Sequence, residues 1–144
     1  MLKKISIAVV ILLVAIQFVP VTRTNPPSPA PIQAPEGVHS VLKRSCFNCH
    51  SHETTWPWYS HVAPVSWLVA HDVNEGREKM DFSNWAQYDA KQRADHFKEI
   101  WDEVKDGGMP PWYYLMMHRD ARLSEQDKQL LHDWVLSQGA AEER

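Results

Sequence analysis

The chain has 144 residues, a formal net charge of −3 with its histidines neutral, seven Trp, five Gly and two Cys. An acidic balance with no clustered Lys or Arg argues against a nucleic-acid partner, because phosphate recognition needs concentrated positive charge. Set apart from its N-terminal and proline-rich segments, the chain leaves roughly a hundred residues for one small domain, a size that often leans on a disulfide, a metal or a cofactor. All seven Trp fall after residue 55, which suits a large flat apolar cofactor, although indole is also ordinary core material.

Residues 1–21 form the first predicted element. Met1 to Lys4 is a short basic start, and Ile5 to Val19 is apolar except for Ser6 and Gln17, with Pro20 closing the run. This is long for the core of a secretory signal peptide and slightly short of a spanning helix of about 20 residues. No small-x-small cleavage pattern follows, since the chain continues Phe18-Val19-Pro20-Val21-Thr22-Arg23. The expectation is an uncleaved signal anchor, single-pass in the inner membrane, with the lysines inside and the rest on the periplasmic side. The alternative is a cleaved signal peptide and a soluble periplasmic product. Residues 22–35 continue a stretch with six prolines from Pro20 to Pro35, which predicts an extended linker that lets the following domain swing away from the bilayer.

Residues 36–140 are the expected folded domain. Val38, Val41, Leu42, Ser45 and Cys49 recur at helical spacing, and they lead into Cys46-Phe47-Asn48-Cys49-His50. Thiols three positions apart lie on one helical face and can bond the two vinyl groups on one edge of a haem, while the next residue offers an imidazole to the iron. One covalent haem c on Cys46 and Cys49, with His50 as axial ligand, is therefore the expectation. Three other uses of the pair exist. A disulfide would close a very small loop with little stabilising effect. A thioredoxin-like couple wants a preceding strand, and no strand pattern is present. A zinc site would have to recruit His52 and His61, with fewer cysteines than structural zinc usually has.

Trp56-Pro57-Trp58-Tyr59-Ser60 and Pro64-Val65-Ser66-Trp67 come next; their rings suit either a haem wall or irregular core packing. Val65, Leu68, Val69 and Val73 predict a short helix ending near Gly76-Arg77, with Arg77 either paired to a propionate or solvated. Phe97, Ile100, Trp101 and Val104 mark a helix stopped by Gly107-Gly108. Ser124 to Asp127 is a capping-box pattern opening a last helix with Leu130, Leu131, Trp134 and Val135 on one face. Between these two helices runs Met109-Pro110-Pro111-Trp112-Tyr113-Tyr114-Leu115-Met116-Met117-His118, a loop able to deliver a sixth iron ligand. Met109 is the first candidate, His118 the alternative, and Met116 and Met117 are within reach. The remaining histidines, His52, His61, His71, His96 and His132, have no metal-type spacing, and no nucleophile triad, phosphate loop or catalytic carboxylate pair can be picked out.

Cys46 to Ser51, Trp56 to Ser60, Met109-Pro110, and His118 with Ala121, Leu123 and Ser124 together resemble a family of short bacterial proteins known as the haem-binding domain family. The Gly-x-Met-Pro-Pro and Leu-Ser-x-x-acid patterns resemble the C-terminal half of small class I cytochromes c. The resemblance covers roughly Val38 to Trp134. It implies a c-type haem domain with an all-α, cytochrome c-like fold of four or five helices. Met109 stands fifteen positions before Ser124, farther than the class I ligand usually does, whereas His118 stands six before it. The expected function is one-electron transfer to redox partner proteins of a respiratory chain, by an electron carrier rather than an enzyme. A haem sensor or peroxidase-like domain with an open sixth position, or a haem-bearing structural module of a respiratory complex, are the alternatives.

Overall fold

The structure is a computed structural model describing residues 1–139; the expected domain end at residue 140 lies outside the described residues. Helix α1 spans Leu2–Ala15 and runs into a 3₁₀ turn, Ile16–Phe18. Six helices follow: α2 (Glu36–Ser45), α3 (Phe47–His50), α4 (Val65–Lys79), α5 (Ala90–Asp106), α6 (Trp112–Met117) and α7 (Glu125–Ser137). There is no strand among the described residues, in keeping with the expected all-α class.

The N-terminal helix is apolar around its circumference and buries none of its residues. Its 14 residues rise about 21 Å, against about 30 Å for a bilayer's hydrocarbon core. No described helix is long and apolar enough to cross a membrane. The single-pass span expected from Ile5 to Val19 is thus not what the fold carries, because Pro20 and the 3₁₀ turn end the helix early. Its C-terminal end is fastened to the domain: Gln17 Nε2 donates to Ala63 O at 3.1 Å, and Ala63 N–H donates to Gln17 Oε1 at 2.9 Å.

Residues 22–35 are extended, as their five prolines require, yet they do not hang free. Proline removes some donors but leaves others, and these are used. Ile32 N–H donates to Phe82 O at 2.8 Å and Ala30 N–H to Ser83 O at 3.3 Å. Asn25 Nδ2 donates to Thr54 O, Arg23 to Ser60 O, and the Arg77 guanidinium to Thr24 O and Asn25 Oδ1. Ile32, only 3 % exposed, joins the central apolar cluster. The expected swinging linker is here a strap along the domain, because an apolar side chain and spare backbone donors gain more against the core than in water.

Three helices make the core. Val38, Val41 and Leu42 of α2, Phe97, Ile100 and Val104 of α5, and Leu131, Trp134 and Val135 of α7 are all buried. A chain of rings crosses the interior from Phe47 through Phe82, Trp85 and Phe97 to Trp134, with centroid separations of 5.1–5.8 Å. The predicted helix ends hold at both places where cap chemistry defines them. Gly107, at φ 76°, terminates α5, and the Ser124–Asp127 capping box opens α7. The helix expected to end near Gly76-Arg77 runs two residues past Arg77, to Lys79, with Gly76 buried inside its last turn.

Candidate functional site

The cysteine pair sits where α2 breaks. Cys46 leaves helical geometry at φ −124°, and one new turn, α3, begins at once. The N–H groups of Cys49 and His50 both donate to Cys46 O, at 3.2 and 3.0 Å. This single turn carries Cys49 and His50, with Cys46 at its N-cap, so the motif is set by a kink rather than by one continuous helix. Both thiols are free and half-buried. Burial, with the neighbouring Cys49, raises the Cys46 thiol to about 12 against a smaller pull from Arg44. Burial, with Asp72, raises Cys49 to about 11 against Arg77. Such thiols are protonated at neutral pH, unlike the exposed low-pKa thiolate of a redox-active pair. Among the described residues no three His, Cys, Asp or Glu side chains are grouped to hold a metal ion.

The ring of His50 is oriented by the backbone. Its Nδ1 lies 3.0 Å from Met80 O, and a carbonyl can only accept, so Nδ1 carries the proton. Burial lowers the pKa of this imidazole, outweighing the opposing effect of its hydrogen bonding to the backbone at Met80 and Gly76. A neutral ring protonated at Nδ1 keeps its lone pair on Nε2, the form a metal takes, and carbonyl bonding of the other nitrogen is the usual support of a metal-binding histidine. Phe82 flanks the ring, its centroid 6.0 Å away. Behind the motif, α4 comes in very close. A Cβ on Gly76 would stand 2.7 Å from Cys49 O and 3.2 Å from Cys49 Cβ, so only glycine allows this approach.

Beside Cys49 opens a mainly apolar cleft of about 330 Å³, within the range of small-molecule and cofactor sites. It is lined by Asn48 and Cys49, by Pro57, Trp58 and Tyr59, by Val65, Leu68, Val69, Asp72 and Val73 of α4, and by Tyr113, Tyr114, Met117 and His118. Of the sixth-ligand candidates, His118 and Met117 line this cleft. Met109, the first choice from sequence, does not: it sits in the turn after α5, 37 % exposed, its N–H bonded to Glu103 O. The Gly107-Gly108 helix stop holds it there, and α6 lies between it and His118. Met116 points outward, 66 % exposed.

A polar network runs across the cleft. Tyr59 Oη and His118 Nε2 are hydrogen-bonded at 2.6 Å. Tyr114 stacks on the His118 ring at 4.2 Å and 12°, and its hydroxyl accepts from Asn48 Nδ2 at 2.7 Å. Burial is the main cause raising the pKa of Tyr59, and it raises Tyr114 to about 12, so both hydroxyls stay protonated. Tyr113 and Tyr114 escaped sequence reasoning as site residues, although Tyr114 and His118 stand four apart, the spacing that stacks side chains on a helix.

Other sequence candidates fall elsewhere. Arg77 is no free cation for a propionate: it donates to Ser51 O, Thr24 O, Asn25 Oδ1 and Thr54 Oγ1, tying the strap to the loop after the motif. His52 lies between Pro27 O at 2.9 Å and the Asp81 carboxylate at 2.9 Å, a structural role. His61 is exposed at the end of a 3₁₀ turn, away from the cleft lining.

The donor set and its surroundings fit a haem: two unpaired thiols on one turn, a backbone-oriented neutral imidazole, and an apolar cleft at the second cysteine. No curated protein and no solved structure matches the chain. Residues 11–137 match the family profile described as Haem-binding domain, a span that takes in the strap as well as the helices, and the chain therefore belongs to the haem-binding domain family.

Proposed function

We propose that this protein is an exported monohaem c-type cytochrome that carries single electrons for a respiratory chain. The observation that carries the reading is the one-turn Cys46–His50 motif, with His50 Nδ1 fixed on Met80 O and Cys49 lining the cleft. In this reading Cys46 and Cys49 would hold one haem through thioethers, and His50 would offer its Nε2 to the iron. When bound, the haem supplies a one-electron ferric–ferrous couple. The chain's own part is to bind, orient and shield. Met80 O keeps the Nδ1 proton of His50, and Trp58, Val65, Leu68 and Val69 keep water from the cleft. His118 lines the cleft and Met109 does not, so His118 would be the better placed of the two to hold the iron, with Tyr59 steadying its ring. Two histidine ligands give a lower potential than a histidine–methionine pair. The exposed apolar surface of α1 supports attachment to a membrane rather than a span, and c-type haem attachment outside the cytoplasm supports a periplasmic domain.

The Tyr59–His118 pair also favours one second reading, an open iron facing a proton-relaying histidine, as in a peroxidase-like or sensor domain. One set of measurements separates the two. Acid-acetone extraction should leave haem on the polypeptide, and Cys46→Ala with Cys49→Ala should release it. Reduced wild-type protein should resist carbon monoxide, His118→Ala should bind it, and Met109→Ala should behave as wild type. Haem extracted from the wild type sinks the covalent attachment; ready carbon monoxide binding by the wild type moves the function to the second reading.

A further inference from the structure

Between Glu53 and Asp72 the chain has no Asp, Glu, Lys or Arg, although much of this segment is on the surface. Trp58, Val65 and Leu68 are exposed there, but they line the cleft and a haem would cover them. Val62 and Trp67 do not line it, and they are 44 % and 38 % exposed. Helical geometry sets Trp67 on the flank of α4 opposite Val65, Val69 and Asp72, so its exposure has no explanation in the cofactor site.

Ala63 lies between these two residues, and Ala63 is where α1 is fastened. Its N–H and C=O take both ends of the Gln17 amide. A two-point bracket fixes the end of α1 against the Val62–Trp67 corner in a way that one hydrogen bond would not. Phe18, the next residue after Gln17, is 82 % exposed, and Val19 is 50 % exposed. An apolar helix with no buried residue therefore meets the domain at a corner of exposed apolar side chains, with the Arg23 guanidinium nearby on Ser60 O. A water-facing corner gains nothing from an indole and a phenyl ring. The boundary between headgroups and acyl chains does, since aromatic rings prefer that layer. At about 21 Å α1 reaches only part of the way through a bilayer, so additional apolar contact at its base would add to its hold.

We infer that Phe18, Val62 and Trp67 form a lipid-facing shelf that seats the domain on the bilayer surface at the foot of α1. The occupant is the headgroup–acyl boundary, not a protein, because the shelf is continuous with the apolar helix, which buries none of its own residues. The shelf sets the domain's orientation on the bilayer. This inference rests on the proposed membrane attachment of α1.

The test uses the full haem-loaded chain, reconstituted in vesicles of phosphatidylethanolamine and phosphatidylglycerol. A photoreactive p-benzoylphenylalanine replaces Val62, Trp67 or, as a control far along the chain on α7, Glu125, whose side chain is 86 % exposed. Helical circular dichroism and covalent haem content confirm that each variant is folded. After illumination, mass spectrometry should show lipid adducts at positions 62 and 67 severalfold above position 125. Equal adduct yields at all three positions, or adducts at 62 and 67 that are protein–protein crosslinks, overturn the shelf. If the chain does not sediment with the vesicles, the attachment reading falls and the shelf with it; if it sediments without lipid adducts at 62 and 67, the shelf alone falls.

Discussion

Replacing Gly76 with alanine gives a test in which the sign of the effect is decided by one contact. In an ordinary exposed helical position, glycine to alanine stabilises by about 1 kcal/mol, through helix propensity and a less flexible unfolded chain. At position 76 the new methyl would sit 2.7 Å from Cys49 O, 3.1 Å from Cys49 C and 3.2 Å from Cys49 Cβ. All three atoms belong to the rigid turn that carries the cysteine motif, and none is the end of a flexible side chain. Ordinary contact would require α4 and α3 to separate by several tenths of an ångström. Overpacking of this kind costs about 1–3 kcal/mol, which meets or exceeds the propensity gain. The expected result for Gly76→Ala is therefore a net loss of up to about 2 kcal/mol, up to roughly 15 °C in melting temperature for a domain of about 100 residues. Haem content per chain should fall too, because the displaced turn is the one that presents Cys49 and His50. Thermal melting followed by circular dichroism, with haem quantified on the same samples, measures both. A variant that melts higher than wild type with full haem content would refute the close approach and leave Gly76 an ordinary helix residue.

Ile32→Ala should cost about 2–5 kcal/mol in chemical denaturation, because Ile32 is 3 % exposed in the core cluster; a change under about 0.5 kcal/mol, usual for exposed sites, would return this segment to the status of a spacer. Tyr59→Phe removes the 2.6 Å bond to His118 and should cost about 1 kcal/mol, with a shift in the reduction potential of the loaded protein. An unchanged potential would place His118 away from the iron. Asp127→Ala should cost about 1–2 kcal/mol at neutral pH, through loss of the α7 cap and of the 2.8 Å contact with Arg44. Partial burial alone would raise the Asp127 carboxyl, but hydrogen bonds from Ser124 and the Arg44 guanidinium bring it below its ordinary 3.8. A depressed folded-state pKa means that this stability is present above pH 3.8 and is lost as the pH falls through the lower folded value. The gap between wild type and Asp127→Ala should therefore narrow only in strong acid; a gap already closed at pH 5 would contradict the network.

Much of the fold could be read along the chain because it depends on neighbours in sequence. The apolar stripes of α2, α5 and α7 follow from 3.6-residue periodicity, and the ends at Gly107 and Ser124 follow from cap chemistry within one turn. The pair Cys46 and Cys49 with His50 was legible for the same reason, being complete within five residues. The proline-rich segment misled because composition reports that a stretch cannot form a core of its own, not that another part of the chain offers it one. Ile32 and the donors of Ala30 and Ile32 found theirs on Phe82 and Ser83, some fifty residues away.

Local chemistry could therefore fix the helices, the cap residues and the cysteine–histidine motif, since each is decided over a few bonds. Tertiary structure alone decided what meets the motif. It brought α6 to the cleft so that His118 and Tyr114 face it while Met109 stays in the turn behind, and it set Gly76 against Cys49. It also folded Arg77 onto Thr24 and Asn25, and Gln17 onto Ala63. These contacts join residues tens of positions apart, and their partners are chosen by how the helices pack, which no local pattern of residues records.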